Sequence, residues 1–225
     1  MVIALLAAVA ALQGLLPRAS GLVVAPSVTL ALVALARWTG LSWDDLGLAR
    51  RSWRRGALYG GVAVTLVAAG YAVIAAVPLT RMALLDARYH LHPVPALVTA
   101  LVVIPLRTVL LEEVAFRGVL LGLLHHRWGA VWASGISSML FGLWHIFPSL
   151  RLYEANQAVA AAVGQGTGAR LLVVVAVVIL TGLAGMVFCG LRHRSASLLA
   201  SAGLHWGTNG IGVLLAALAW ASQPA

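Results

Sequence analysis

The sequence predicts an all-α protein, a polytopic transmembrane helix bundle of seven to eight spans, and three observations carry that prediction. Of the 225 residues, 62% are hydrophobic and 9% are charged, too apolar for a soluble domain whose surface must face water. Five runs, 57–78, 94–124, 128–147, 170–190 and 197–220, carry few polar groups and are long enough to cross a hydrocarbon core of about 30 Å. The basic residues are all arginine, and most fall between these runs instead of along one face. That pattern orients a membrane protein and argues against a nucleic-acid partner.

The elements follow in order. Two shorter apolar runs, 1–16 and 20–36, are separated by "PRAS" and are expected to form a helical hairpin or a re-entrant pair. Run 1–16 lacks the positive n-region of a secretory signal and is expected to be retained. The loop 37–56 carries Arg37, Arg50, Arg51, Arg54 and Arg55. With seven spans it falls on the same side as Arg127, Arg192 and Arg194, and the positive-inside rule makes that side cytoplasmic. Arg18, Arg81, Arg88, Arg151 and Arg170 fall opposite.

Run 94–124 would measure about 46 Å as one helix and overshoot the membrane. Pro105 removes a backbone donor and clashes with the preceding turn, so a kink or break is expected there. Residues 148–169 form a polar connection whose glycines, Gly164, Gly166 and Gly168, suggest a mobile second half. The chain divides into 1–93, N-terminal helices with the arginine-rich cytoplasmic loop, and 94–220, a catalytic core. It has no internal repeat, and one cysteine, Cys189, excludes an internal disulfide framework and a cysteine-rich metal site.

Ionisable groups stand out against this background. "VLLEEVAFRGVLLGLL" (109–124) holds Glu112, Glu113 and Arg117 inside a greasy run. On a regular helix Glu113 and Arg117 share a face, while Glu112 is turned by roughly 100°. Each unpaired charge would cost at least about 2.5 to 3.5 kcal/mol in the membrane, so pairing accounts for Glu113 and Arg117. It does not account for Glu112, a carboxylate without a local counter-ion and hence a candidate general base.

Two further pairs recur at the same four-residue period, Phe141 with His145 and His205 with Asn209. Three helices each supplying such groups predict one polar cavity. Taken singly, an intramembrane His or Asn is more often interhelical glue, and Glu113 with Arg117 reads equally as a structural pin. His90 and His92 read as interfacial; His125, His126 and His193 read as solvated among arginines. Trp38, Trp43, Trp53 and Trp128 stand at span ends, where an aromatic belt explains them. Trp144 and Trp206 each adjoin a candidate histidine and either wall the cavity or simply pack.

In order, "EEVAFR" (112–117), "FGLWH" (141–145) and "HWGTN" (205–209) resemble the three signature motifs of the CAAX protease and bacteriocin-processing (CPBP, or Abi) family, Glu-Glu-x-x-x-Arg, Phe-x-x-x-His and His-x-x-x-Asn. The resemblance covers roughly residues 94–215, with "DLGL" similar to a stretch ahead of the family core. It implies an intramembrane endopeptidase related to the enzyme that trims prenylated CAAX proteins, acting on a peptide or protein substrate that is itself membrane-anchored. Glu112 would activate the attacking water, Glu113 and Arg117 would orient it or hold the site, and His145, His205 and Asn209 would complete it.

Two histidines and a carboxylate also suit a divalent metal such as zinc, with Glu112, His145 and His205 as its candidate ligands. Arg117 beside the carboxylates opposes a nearby cation, which favours glutamate and histidine acting without a firmly held metal. Two other readings compete. A proton-coupled transporter would use the same acid and imidazole groups as a relay, but would be expected to show repeated halves. A non-catalytic immunity or scaffold protein would keep the motifs as pins. The absence of lysine, with abundant Ala, Val, Arg and Gly, suggests a high-GC bacterial genome and hence a multi-pass protein of the plasma membrane, in contact with its lipids.

Overall fold

The computed structural model describes residues 20–164 and 166–223, and the chain they trace is helical, with no strand among them beyond one isolated bridge between Asp86 and Asn156. The helices are α1 (Gly21–Trp38), α2 (Trp53–Ala76), α3 (93–128), α4 (130–144), α5 (Ile146–Ala155), α6 (Gln157–Val163), α7 (Thr167–Ser195) and α8 (198–221). Four stretches are long and apolar enough to cross a membrane: Gly21–Trp38, Arg50–Ala76, Pro93–Leu150 and Thr167–Ser195. That is fewer than the seven to eight spans expected. The 58-residue stretch Pro93–Leu150 itself turns back at Gly129, and α8 is interrupted midway; the expected helix 1–16 lies outside the described residues.

Pro105 does not break α3. The helix instead widens over Thr99–Val109, where the Leu110 N–H donates to the Pro105 carbonyl five residues back. A wide turn skips the donor that proline lacks and relieves its ring of the preceding carbonyl. The reversal comes at Gly129, with φ 75 and ψ 176, a conformation that side chains disfavour and glycine adopts freely.

Two more segments widen in the same way, Glu113–Leu120 in α3 and Gly207–Ile211 in α8. Each of the three receives a side-chain donor from a neighbouring element. Trp206 Nε1 donates to the Ala100 carbonyl at 2.9 Å, Ser137 Oγ to the Phe116 carbonyl at 2.8 Å, and the Tyr71 hydroxyl to the Thr208 carbonyl at 2.7 Å. Wide turns leave backbone oxygens poorly paired, and in a water-free interior those oxygens need partners.

The segment expected to be a polar connection, 148–169, is largely helical. Asn156 separates α5 from α6 and caps α6, its Oδ1 accepting from the Ala158 and Val159 N–H groups while its Nδ2 donates to the Ala83 carbonyl. The glycines do act as punctuation, Gly164 and Gly166 lying at positive φ between α6 and α7.

The main core gathers Leu32 and Ala36 of α1, Leu46 of the following loop, Leu111, Phe116 and Val119 of α3, Phe141 of α4 and Phe188 of α7. Elsewhere close packing relies on missing side chains: a Cβ on Gly203 would sit 2.7 Å from the Gly60 Cα, so α2 and α8 touch backbone to backbone, as small residues allow between helices in lipid. Leu58, Val62, Leu66 and Val73 of α2 and Leu171, Ile179, Leu180 and Leu183 of α7 are exposed, the outward apolar faces of a multi-pass membrane protein.

The arginine-rich connections meet at one end. Arg192 Nη2 donates to the carbonyls of Asp44 and Asp45 at 2.8 and 2.9 Å, the Leu198 N–H donates to the Gly47 carbonyl at 2.9 Å, and His126 Nε2 lies 3.0 Å from Asp45 Oδ1. His193 is tied down by Ser134, 3.1 Å away, so these histidines are engaged, not merely solvated. At the other end His90 stacks on Trp220 at 4.5 Å, and Trp220 Nε1 donates to the Asp86 carbonyl.

Candidate active site

The acidic pair sits where α3 begins to widen, Glu112 just before the segment Glu113–Leu120 and Glu113 at its start. In a regular helix Glu112 and Glu113 would point about 100° apart. Here both carboxylates reach the same imidazole: His205 Nδ1 lies 2.9 Å from Glu113 Oε1, and its Nε2 lies 3.7 Å from Glu112 Oε2. A carboxylate accepts, so Nδ1 carries the proton it donates to Glu113, and in the neutral ring Nε2 presents a lone pair toward Glu112.

All of this is out of solvent. Arg117 is 0% exposed, Glu113 2%, His205 3% and Glu112 7%, values that make pairing obligatory for the charged groups. Arg117 Nη1 lies 3.3 Å from Glu113 Oε1. Its Nε and Nη2 make no hydrogen bond; instead the guanidinium lies over the Phe141 ring at 3.8 Å and the Phe188 ring at 4.6 Å. Desolvated contacts of this kind contribute about 2 kcal/mol.

Phe188 also stacks on His205, with centroids 5.3 Å apart and planes at 22°. This phenylalanine, from α7, therefore touches both the arginine and the imidazole. Sequence reading passed over it, because in an apolar run one Phe looks like any other.

Trp144 was read as a wall or a packing residue, and it does more than pack: its Nε1 donates to Glu112 Oε1 at 3.1 Å. Trp206 points elsewhere, into the bond with Ala100 already described. The two carboxylates thus differ in their partners. Glu113 Oε1 meets a cation and an imidazole, whereas Glu112 Oε1 meets a neutral indole; among the described residues the Oε2 atom of each has no hydrogen bond.

The structure brings Glu112, Glu113, Arg117 and His205 together. His145 and Asn209 stand apart from that cluster. His145 occupies the corner after α4, half-buried, where its Nδ1 donates to the Phe141 carbonyl at 2.8 Å and its ring meets the Phe141 edge at 4.6 Å. The Phe141 ring also meets the His205 ring, with centroids 6.0 Å apart, so one phenyl ring touches both imidazoles. Asn209 lies one turn beyond His205 within the wide segment of α8, half-buried, with no hydrogen bond to its side chain among the described residues.

The donor set of Glu112, His145 and His205 has the chemistry of a catalytic zinc site. Its arrangement does not match: among the described residues no three His, Cys, Asp or Glu side chains are grouped to hold one ion, and His145 Nδ1 is taken by the Phe141 carbonyl. As placed, these residues do not fit a metal.

Compared with known proteins, residues 92–211 match the family model described as Type II CAAX prenyl endopeptidase Rce1-like. The match spans all three motif pairs and more than half of the chain. No curated protein and no solved structure matches.

Proposed function

Because the chain belongs to the Rce1-like type II CAAX prenyl endopeptidase family, a family of membrane proteases acting on peptide substrates, we propose that it cleaves a membrane-presented peptide or protein segment with a water activated by Glu112. The observation that carries this reading is the single imidazole of His205 flanked by both carboxylates, 2.9 Å from one and 3.7 Å from the other.

The 3.7 Å between Glu112 Oε2 and His205 Nε2 is too long for a hydrogen bond, and in this reading a water enters between them when the buried site opens to substrate. Both atoms accept, so such a water donates one proton to each and turns its own lone pair outward, toward a scissile carbonyl. As its oxygen bonds to the carbonyl carbon, Glu112 takes the proton. Collapse of the tetrahedral intermediate breaks the C–N bond, and Glu112 returns the proton to the leaving amine.

Glu113 does different work in this reading. Held by Arg117, it fixes the His205 tautomer through Nδ1–H, as an orienting carboxylate does for a catalytic histidine. Asn209, and His145 when protonated at Nε2, supply donors for the oxyanion. Their half-buried positions, apart from the buried cluster, support a role at the substrate rather than in the core. In this reading the arginine-rich end faces the cytoplasm, as the positive-inside rule favours, and the bundle sits in a bacterial plasma membrane.

Glu112→Gln is the test. It keeps the shape but removes the base and its charge, and the expected result is a cleavage rate lower by about 10²- to 10⁴-fold in folded, purified protein. Retention of a near wild-type rate would remove Glu112 from the reaction. Comparison of the membrane proteomes of cells carrying either form identifies the substrate as the protein that accumulates uncut in the variant.

A further inference from the structure

We infer that Trp144 is a positioning residue for the base: its indole N–H orients the Glu112 carboxylate without neutralising it, leaving Oε2 as the oxygen aimed at His205. The inference rests on the reading of Glu112 as the base.

The argument begins with the difference between the two carboxylates. Glu113 is compensated by a guanidinium and an imidazole. Glu112 is buried to a similar degree, yet among the described residues its only hydrogen bond comes from the neutral Trp144 Nε1, 3.1 Å from Oε1. A cation at that place would hold the carboxylate and weaken it as a base; a neutral donor holds it at about half the strength and leaves its charge. A carboxylate with no donor at all would be free to turn, since the bond to its own helix permits several rotamers.

The donor is itself fixed. Trp144 is the last residue of α4, and its ring meets the edge of Phe116 with centroids 5.9 Å apart and planes at 70°. Phe116 in turn belongs to the same wide turn that carries Glu113 and Arg117, and its carbonyl is tied to Ser137 of α4. Trp144 therefore aims its N–H from a helix braced against the segment it orients. The bond occupies Oε1 and leaves Oε2, which accepts no hydrogen bond among the described residues and lies 3.7 Å from His205 Nε2, as the oxygen freer to take a proton.

Two measurements test this on the full chain in lipid nanodiscs. In the first, the indole N–H signals of ¹⁵N-labelled protein are recorded, the Trp144 signal being the one missing from Trp144→Phe. The expected result is that Glu112→Gln displaces that signal and speeds its exchange with solvent; a signal indifferent to Glu112→Gln would overturn the inference, whatever the substrate is.

In the second, cleavage is followed with membrane-anchored fluorogenic peptides that include a prenylated CAAX sequence. Trp144→Phe is expected to lower kcat about 10- to 100-fold with KM within about twofold, the signature of a misplaced reacting group, and Trp144→His, which restores a ring N–H, is expected to recover part of the loss. Equal losses in both variants, or a loss matched by a fall in melting temperature, would make Trp144 a packing residue only. Wild-type kcat in Trp144→Phe alongside an inactive Glu112→Gln would overturn this inference and leave the base intact, whereas an active Glu112→Gln would overturn both.

Discussion

Arg117 is fully buried with two of its nitrogens unbonded, and its stability depends on one carboxylate oxygen and two aromatic faces. Removing either member of the Glu113–Arg117 pair leaves an uncompensated charge, which costs about 3–5 kcal/mol in a protein interior. Glu113→Gln and Arg117→Met should each destabilise the protein by that order, and the double variant should lose less than the two single losses added. Thermal unfolding of the four proteins in one detergent checks this; losses that simply add would mean that the 3.3 Å contact contributes nothing. The double variant is also expected to lose activity, because His205 then has no carboxylate to fix its Nδ1 proton. Residue chemistry was legible before any coordinates: the acids, imidazoles and carboxamide announced themselves by their cost in an apolar run. Trp144 and Phe188 did not, because indole and phenyl groups carry no such cost and signal their roles only through what they touch.

At the scale of elements, the three wide turns distinguish this bundle from a set of regular rods. A periodicity of 3.6 residues turns Glu112 away from Glu113, and on that reading the two acids serve different faces. Both nonetheless reach His205, a convergence that no hydrophobic pattern records, since the flanking residues are apolar on every side. For the same reason Pro105 suggested a kink or break where the chain widens, and the reversal at Gly129 depended on a positive φ that one glycine among 23 does not advertise. Ser137 is the clearest lever on this geometry. Ser137→Ala leaves the Phe116 carbonyl without its side-chain donor, at a cost of about 1–3 kcal/mol for a buried polar group left unpaired. Cleavage should fall along with stability, because the turn it braces carries Glu113 and Arg117. A variant with wild-type rate and melting temperature would show that the wide turn holds itself.

For the whole molecule, the arrangement is a membrane-embedded bundle in which α3, α4, α7 and α8 enclose the buried cluster, while α1 and α2 pack on α3 and α8 from outside. Gross composition and the run lengths disclosed the all-helical class, and the arginine distribution disclosed that loop 37–56, Arg127, Arg192 and Arg194 share an end, as the Arg192 bonds to Asp44 and Asp45 bear out. What composition could not disclose was the depth of the cluster or that His145 lies outside it, both of which follow from how four helices cross. The account stands on the meeting of two carboxylates at one imidazole, and the ¹⁵N spectrum of His205 reads that meeting directly. In protein labelled at histidine, with the His205 signals identified by His205→Gln, the account predicts an Nδ1 that is protonated and hydrogen-bonded, is displaced by Glu113→Gln, and is accompanied by an Nε2 displaced by Glu112→Gln. An imidazole whose two nitrogens ignore both substitutions would contradict it.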